Sequence, residues 1–391
     1  MSDGMVTALA ELIHNLYPGE QPVPLHRPTL DEDDQQAVAD CVASTFISSA
    51  GPEIQAFEEA IAGFCGSAYA IAAVNGTAAL HLALHCCGVK PGDLVLTQSL
   101  TFAATGHAIL QAGASPVYID ITLPDAGMDP EALAYFLDTE CSPGYDGLIH
   151  KASGRRVSAC IPMHSFGTPA RITQIAHLCE QWGLTLIEDA AEALGSFISG
   201  RHCGTFGRCG VLSFNGNKIM STGAGGMVLC DDPALARHLK HVSTTAKVAD
   251  EFEFFHDEPG FNYRLPNLNA SLGLSQFRKL PSFIAAKARV AGMYQSFFAD
   301  LGYPLVHNPE AQSNHWLNTV LVTDATEKQA LLQGLKAQGI MARPAWTPLH
   351  HLPHLQSPVS TSLPVTDEVY NRAVSLPSSV PADAIRGSLT V

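Results

Sequence analysis

Short apolar runs alternate with longer helix-like stretches between residues 69 and 230 of this chain. The apolar runs predict seven strands, at 69–74, 94–99, 116–121, 158–163, 184–189, 210–215 and 226–230. Helices are expected to begin near Thr77, Ala103, Asp129 and Pro169, the last because proline is favoured in the first helical turn. Continuous apolar strands that alternate with helices are typical of a mostly parallel sheet covered on both faces. The pattern therefore predicts an α/β fold.

The pattern changes after about residue 266. Residues 269–300 are predicted to be helical, and a strand at 319–324 and a helix at 327–339 follow. With 391 residues and 46% hydrophobic content, the chain is long enough for more than one small domain. We therefore predict an N-terminal arm with one amphipathic helix (1–24), a large domain (25–265) and a smaller C-terminal domain (266–391).

The composition of the chain limits which partners and which cellular location we expect for it. The formal net charge is −15, which argues against nucleic acid because binding to a phosphate backbone needs a basic face. The 10 cysteines form no C-x-x-C pair, and the first 20 residues lack the basic segment of a signal peptide. We therefore expect reduced cysteines and a cytoplasmic protein.

One apolar stretch, residues 67–89, has the length of a membrane span. Asn75, Gly76 and Thr77 interrupt its middle, and two histidines follow. A strand, a tight turn and a buried helix explain this stretch better than a membrane span does.

Ligands of such sheets bind at the carboxyl ends of the strands, so the residues just after each strand are candidates for chemistry. Gly76 and Thr77 lie where the first strand gives way to a helix. Glycine allows an anion to approach the backbone, and the helix N-terminus offers free N–H groups. An ordinary capped turn would give the same short pattern.

Two further residues follow strands. Phe102 follows the second strand and could stack on a flat cofactor, although core packing is the more usual explanation for a single phenylalanine. Asp189 ends an apolar strand, where a carboxylate needs a cationic partner. The protonated ring nitrogen of pyridoxal 5′-phosphate (PLP) would serve, as would a structural ion pair or a helix cap.

The stretch SFNGNKIMSTGAGGM (213–227) carries the strongest signal. Lys218 follows a strand in a loop of small residues, and a partly desolvated lysine is a good nucleophile for Schiff-base formation. Ser213 could donate a hydrogen bond to a phosphate. The glycines from 223 to 226 precede a strand, which argues against a dinucleotide-binding fingerprint and a nicotinamide enzyme.

Two later segments have polar side chains that could bind ligands. GFNYRL (260–265) contains Asn262 and Arg264 at the predicted domain junction, where plain turn chemistry would also explain them. LHHLPHL (349–355) is rich in histidine. No carboxylate or cysteine lies at ligand spacing there, and Pro353 interrupts any helix, so no metal is predicted.

Taken in order, the motifs resemble those of the sugar aminotransferases of the DegT/DnrJ/EryC1/StrS type. The resemblance runs from PLHRP (24–28) to LPSS (376–379) and rests on FEEAIAGFCG, NGTAALHLAL, TFAAT, EDAAEALGS, SFNGNK with GAGGM, and GFNYRLPNLNA. It implies the PLP-dependent transferase fold type I. That fold has a mostly parallel seven-stranded sheet between helices in a large domain, and a smaller α+β C-terminal domain.

The resemblance also implies roles for individual residues. Lys218 would form the Schiff base with PLP, Asp189 would pair with its ring nitrogen, and Phe102 would stack on the ring. The phosphate would be held by Gly76, Thr77 and Ser213. Asn262 would reach the cofactor of the neighbouring subunit in a homodimer, and the substrate side would include Arg264 and His350.

Two departures from the family pattern bear on the reaction. Glu192 replaces the more common Gln or His, and a carboxylate near the cofactor's 3-oxygen must be protonated or turned away. The phrase FNGNK is most similar to the branch that acts on UDP-4-keto-6-deoxy-N-acetylglucosamine, in pathways to bacillosamine or legionaminic acid. The expected reaction takes the amino group of L-glutamate to the C4 keto group of that sugar.

Several alternatives remain open at this point. A dTDP- or GDP-linked keto-sugar with the ketone at C3 or C4 would suit the same motifs. Related sugar dehydratases carry histidine at the lysine position, so Lys218 favours transamination. A PLP-dependent lyase is a further alternative. A non-catalytic PLP-binding regulator would need a DNA-binding module, which neither the motifs nor the acidic charge indicate.

Overall fold

The large sheet contains all seven predicted strands. The computed structural model describes residues 3–145, 147–250 and 252–382. In that part of the chain the sheet has nine strands, which are β1 (Tyr69–Ala73), β2 (Leu94–Gln98), β3 (Ser115–Ile119), β4 (Cys141–Gly144), β5 (Gly147–His150), β6 (Arg156–Ile161), β7 (Thr185–Asp189), β10 (Cys209–Ser213) and β11 (Gly226–Cys230). Two short strands between β7 and β10, β8 (Phe197–Ile198) and β9 (Arg201–His202), pair outside it with β12 (Ala311–Gln312).

The strand order is β1–β11–β10–β7–β6–β2–β3, and the five strands from β10 to β3 run parallel. Strand β11 is antiparallel to both of its neighbours. The hairpin β4–β5 extends the sheet from β6 and was not predicted, because its segment is short and contains proline and glycine. The sheet therefore has two strands more than the seven expected, both from this hairpin, and its mostly parallel arrangement is confirmed.

The described part of the chain contains eleven α-helices, and several of them cover the two faces of this sheet. They are α1 (Asp3–Leu16), α2 (Glu32–Ser44), α3 (Pro52–Cys65), α4 (Gly76–Cys86), α5 (Ala103–Gln111), α6 (Pro130–Glu140), α7 (Ile172–Gln181), α8 (Pro233–Ser243), α9 (Asn267–Ala299), α10 (Ala325–Ala337) and α11 (Pro364–Arg372). Successive residues of β1 point to opposite faces and belong to different hydrophobic cores. Ile71 packs with α4 and α8, whereas Ala72 packs with α3 and α9. The sheet is thus buried on both sides.

One helix begins later than predicted. Helix α7 starts at Ile172 rather than at Pro169. The preceding residues form a short 3₁₀ turn in which Phe166 has a φ of 61°, and the N–H of Ala170 donates to the ring of His164. These contacts hold the segment around Pro169 outside the helix.

A second sheet lies in the C-terminal part, formed by β13 (Asn318–Leu321), β15 (Ala373–Leu376) and β14 (Arg343–Pro344). It packs with α10 and with the long helix α9. Helix α1 also joins this core through Leu9 and Ile13, beside Tyr294 of α9. The N-terminal helix is therefore anchored on the C-terminal sheet and helices.

The stretch 67–89 folds as strand β1, a turn and helix α4, as predicted. Among the described residues, no helix combines the length and the apolar character that crossing a bilayer requires.

Candidate active site

The carboxyl ends of several central strands border one cavity of about 290 Å³. Seven of the ten residues singled out from the sequence line it, namely Gly76, Thr77, Phe102, Asp189, Glu192, Ser213 and Lys218. Strands β1, β7 and β10 each deliver polar groups to this edge because parallel strands end on the same side of the sheet.

One end of the cavity is suited to an anion. The side chain of Asn75 caps helix α4 by accepting a hydrogen bond from the N–H of Ala78. This leaves the first-turn N–H groups of Gly76 and Thr77, which have no partner within the helix. A Cβ on Gly76 would lie 3.1 Å from the Cβ of Ser213, so glycine keeps this corner open. A phosphate group fits such a helix N-terminus.

Asp189 is a buried carboxylate without an ion-pair partner in the described chain. Its Oδ2 accepts a 2.7 Å hydrogen bond from the hydroxyl of Thr105, and its Oδ1 accepts one from the N–H of Ala191. The residue is 2% exposed, and burial raises the pKa of its carboxyl group. A cation arriving in the cavity would therefore be favoured beside Asp189. Residues 190 to 196 form turns rather than a helix, so Asp189 does not serve as a helix cap.

Lys218 pairs with the residue that departs from the family pattern. Its Nζ lies 3.0 Å from Oε1 of Glu192, whose side chain is 1% exposed. The other carboxylate oxygen of Glu192 accepts a hydrogen bond from the N–H of Phe166. Glu192 therefore points at the lysine, and burial raises its pKa to about 7 although Lys218 acts in the opposite direction.

The raised pKa predicts how Glu192 affects stability. A carboxyl group whose pKa is higher in the folded state than its unfolded value of about 4.3 contributes stability at low pH, which is lost as the pH rises toward 7. In the cofactor-free protein, Glu192→Gln should therefore gain stability relative to wild type between pH 5 and pH 8. The change should be at most about 4 kcal/mol.

Thermal unfolding at several pH values measures this difference, and only its dependence on pH is diagnostic. A constant offset between the two proteins would reflect the new amide facing Lys218. The exposed Glu59 is a matched control, because Glu59→Gln makes the same chemical change away from Lys218. Parallel pH profiles of the wild-type and Glu192→Gln proteins would contradict the prediction.

Aromatic side chains form the walls of the cavity. Phe102 is 53% exposed and lines it, so this ring is not a core residue. Trp316 and Trp346 line the cavity as well, and the ring of Trp316 lies 4.2 Å from Nζ of Lys218. The indole N–H of Trp316 donates to the backbone oxygen of Asn217.

Sequence reasoning missed both tryptophans. They lie 98 and 128 residues beyond Lys218, in a segment without a recognised motif. Their rarity was the available signal, since two of the three tryptophans in the chain line this cavity.

Three sequence-predicted residues lie away from the cavity lining. Asn262 is exposed and forms a backbone bridge with Thr244, and Arg264 donates to the backbone oxygen of Thr244 at an open surface depression. The ring of His350 has Nδ1 at 2.7 Å from the hydroxyl of Ser99, while its Nε2 faces Asp367. A direct role for these three residues would need a neighbouring subunit or a substrate that extends beyond the cavity.

The set of groups in the cavity fits PLP. A helix N-terminus with Ser213 suits its phosphate, the carboxylate of Asp189 suits its protonated ring nitrogen, and Phe102 offers a flat face. Lys218 is the one amine among the lining residues, and its side chain is 12% exposed. These residues would hold the cofactor from its phosphate to its reactive end.

Comparison with known proteins gives a consistent result. The model of the DegT/DnrJ/EryC1/StrS aminotransferase family matches residues 28–383. EpsN of Bacillus subtilis (strain 168), a predicted pyridoxal phosphate-dependent aminotransferase, is 34% identical over 360 residues, covering 90% of each chain. The GDP-perosamine synthase of Caulobacter vibrioides (strain ATCC 19089 / CIP 103742 / CB 15) is 33% identical, covering 90% of this chain and 91% of its own.

The fold is also similar to that of solved structures. PseC of Helicobacter pylori, an aminotransferase in the biosynthesis of pseudoaminic acid, superposes with a TM-score of 0.81 at 25% identity. The match covers 94% of this chain and 97% of that one.

Proposed function

This chain belongs to the DegT/DnrJ/EryC1/StrS aminotransferase family, and from that premise we propose that it transfers the amino group of L-glutamate to the C4 keto group of a nucleotide-linked 4-keto-6-deoxy sugar. It is a PLP-dependent sugar aminotransferase with fold type I, as the motifs predicted. One observation carries the proposal: the amine of Lys218, the unpaired carboxylate of Asp189 and a free helix N-terminus border one cavity.

Different residues of the cavity would have different roles in amine transfer. PLP supplies an electrophilic carbon for amines and an electron sink for the carbanion that forms when a proton leaves. Lys218 would take the proton from the α-carbon of the amino acid and return it elsewhere, as general base and then general acid. Asp189 would keep the ring nitrogen protonated, which would maintain the electron sink.

Other residues hold the reactants. Gly76, Thr77 and Ser213 would bind the phosphate and fix the position of the reactive carbon relative to Lys218. Glu192 would hold the lysine amine inside the cavity while that amine is free. Phe102 and the two tryptophans would cover the rings and exclude water, which would protect proton transfers from the solvent.

The proposal also names the sugar nucleotide, which is more specific than the reaction itself. The phrase SFNGNK (213–218) favours UDP-4-keto-6-deoxy-N-acetylglucosamine as the first candidate. A GDP-linked keto-sugar is the second, because three of the relatives that are 31–33% identical are named GDP-perosamine synthase. Both candidates use the same cavity and the same lysine.

Absorbance of the cofactor tests the two half-reactions separately. L-Glutamate should bleach the yellow colour of the lysine-bound cofactor, and after its removal a keto-sugar substrate should restore the colour. Recovery with the UDP-sugar but not with GDP- or dTDP-linked sugars would support the first candidate. Bleaching by glutamate with no recovery from any nucleotide-linked keto-sugar would overturn the proposal.

We further propose that the active unit is a homodimer in which Asn262 serves the neighbouring site. Asn262 is exposed and outside its own cavity, and the adjacent loop exposes three phenylalanines, Phe252, Phe254 and Phe255, by 58–83%. Apolar rings exposed together are typical of an interface rather than of a free surface.

Mixing two defective variants tests the shared site. In a hybrid of Lys218→Ala and Asn262→Ala subunits, one site carries both defects and the other carries neither. Co-expression should therefore restore roughly a quarter of the wild-type activity, since about half of the dimers are hybrids. Each variant alone is the control. No recovery in mixtures whose hybrid dimers are demonstrated would contradict the arrangement.

A cytoplasmic location is also part of the proposal. All 10 cysteines are free, and eight of them are buried. Unpaired cysteines in these numbers suit a reducing compartment. Recovery of the protein in the membrane or secreted fraction of its native cell would argue against this location.

A further inference from the structure

A second cluster of chemically reactive side chains lies outside the cavity. His350 and His351 belong to a 3₁₀ turn (349–351), and Asp367 belongs to helix α11. The Nε2 atoms of both histidines lie 3.3 Å from the same oxygen, Oδ1 of Asp367, and the three groups lie within 4.8 Å of one another. The spacing of the histidine-rich segment gave no hint of this carboxylate, which folding brings in from 16 residues away.

The two histidine–aspartate contacts are long for charge-assisted hydrogen bonds. A charge-assisted N–H···O bond is about 2.7–2.9 Å long, and its hydrogen points at the acceptor. Here both separations are 3.3 Å, and Oδ1 of Asp367 is shielded from solvent without a hydrogen-bond partner. The two imidazole nitrogens and the oxygen converge without satisfying one another, as ligands of a common ion do.

The distances agree with those in a tetrahedral metal site. Zn²⁺ binds histidine nitrogen and carboxylate oxygen at about 2.0–2.2 Å, so neighbouring ligand atoms of a tetrahedron lie about 3.3–3.5 Å apart. The observed 3.3 Å separations match that edge. A Ca²⁺ or Mg²⁺ site would instead be built from oxygen ligands.

A second contact orients the first histidine. Nδ1 of His350 lies 2.7 Å from the hydroxyl of Ser99, and the same hydroxyl accepts a hydrogen bond from the backbone N–H of His350. Metal-binding histidines commonly engage their other ring nitrogen in this way, which directs the free lone pair at the ion. The cluster thus has ligands and a supporting contact.

We propose that His350, His351 and Asp367 bind one divalent transition-metal ion, with Zn²⁺ as the best match and water in the fourth position. The ion would join the 349–351 turn to helix α11. The N–H of Leu349 in that turn donates to the backbone oxygen of Ser99, three residues before Phe102 of the cavity wall. The metal therefore stabilises the support of one wall and takes no part in amine transfer.

Titration of Zn²⁺ against a colorimetric chelator tests the site, with tag-free holoenzyme freed of metal beforehand. We expect saturable binding of one ion per chain, with a matching rise in the unfolding temperature. Removing a group that orients a metal-binding histidine typically weakens metal binding about 10- to 100-fold, so Ser99→Ala should fall in that range. Asp367→Asn and His351→Gln remove ligands and should weaken binding by about 100-fold or more.

A second exposed cluster supplies the matched control. It consists of three residues from an earlier part of the chain that also lie within 4.8 Å of one another, His241, Asp257 and Glu258. Nε2 of His241 already pairs with Asp257 at 2.6 Å, so His241→Gln should leave the zinc affinity unchanged. Absence of one-to-one binding, or equal affinity in folded Asp367→Asn and wild-type proteins, would overturn the metal site. Since the cofactor's absorbance is followed in the same samples, failure of this site and failure of the aminotransferase proposal remain distinguishable.

Discussion

Replacing Lys218 by alanine should reduce turnover by roughly four orders of magnitude or more. The amine has two tasks, as the nucleophile that holds the cofactor and as the group that moves the proton, and proton transfer alone accounts for about 10²- to 10⁴-fold. No other amine lines the cavity in the described chain, so no neighbour can replace it. Single-turnover measurements with L-glutamate and with the keto-sugar would show both half-reactions lost.

The controls separate chemistry from folding. Lys151 lies on the surface away from the cavity, where its Nζ donates to two backbone oxygens, and Lys151→Ala should keep wild-type rates. A small primary amine added to Lys218→Ala should restore part of the proton-transfer rate if the cavity is intact. Near-normal turnover of Lys218→Ala without added amine would reject the assignment of the lysine.

Much of this site could be read from the sequence because its groups lie next to apolar strands. The run that forms β7 ends at Asp189, and the run that forms β10 ends at Ser213, five residues before Lys218. In a parallel sheet the ends of such runs converge, so local patterns were enough to place these groups at one edge.

The remaining features depend on contacts between distant segments. The pairing of Glu192 with Lys218 spans 26 residues, and Trp316 reaches the same lysine from beyond helix α9. Asp367 meets His350 only after the C-terminal helix packs. No periodicity or spacing encodes such contacts, since they depend on how whole elements pack together. The hairpin β4–β5 was missed for a different reason, because it is short and rich in turn-forming residues.

Asp189→Asn is expected to lower kcat by roughly 10²- to 10³-fold, the usual cost of removing one preorganised electrostatic group. The amide has the same size and can still accept a hydrogen bond from the N–H of Ala191, but it cannot balance a protonated ring nitrogen. The loss should therefore fall on the proton-transfer steps, while cofactor remains bound to Lys218.

In the cofactor-free protein, Asp189→Asn should not lower stability, although it lowers kcat. Burial raises the pKa of Asp189, so the empty fold loses stability as the pH rises from the unfolded value of this carboxyl group through its raised pKa. Asp189→Asn removes that charge and should unfold at an equal or higher temperature than wild type when no cofactor is present. With cofactor, the gain in unfolding temperature should be smaller for the variant, because the ion pair with the ring nitrogen is missing.

Asp125 provides the control for Asp189→Asn. It is likewise buried with a raised pKa, but it lies outside the cavity and pairs with Arg171. Asp125→Asn should change stability and leave kcat nearly unaltered. An Asp189→Asn enzyme with wild-type kcat would show that the carboxylate does not support the cofactor. Equal losses of kcat in both variants would mean that buried charge in general, rather than its place beside the ring nitrogen, governs the rate.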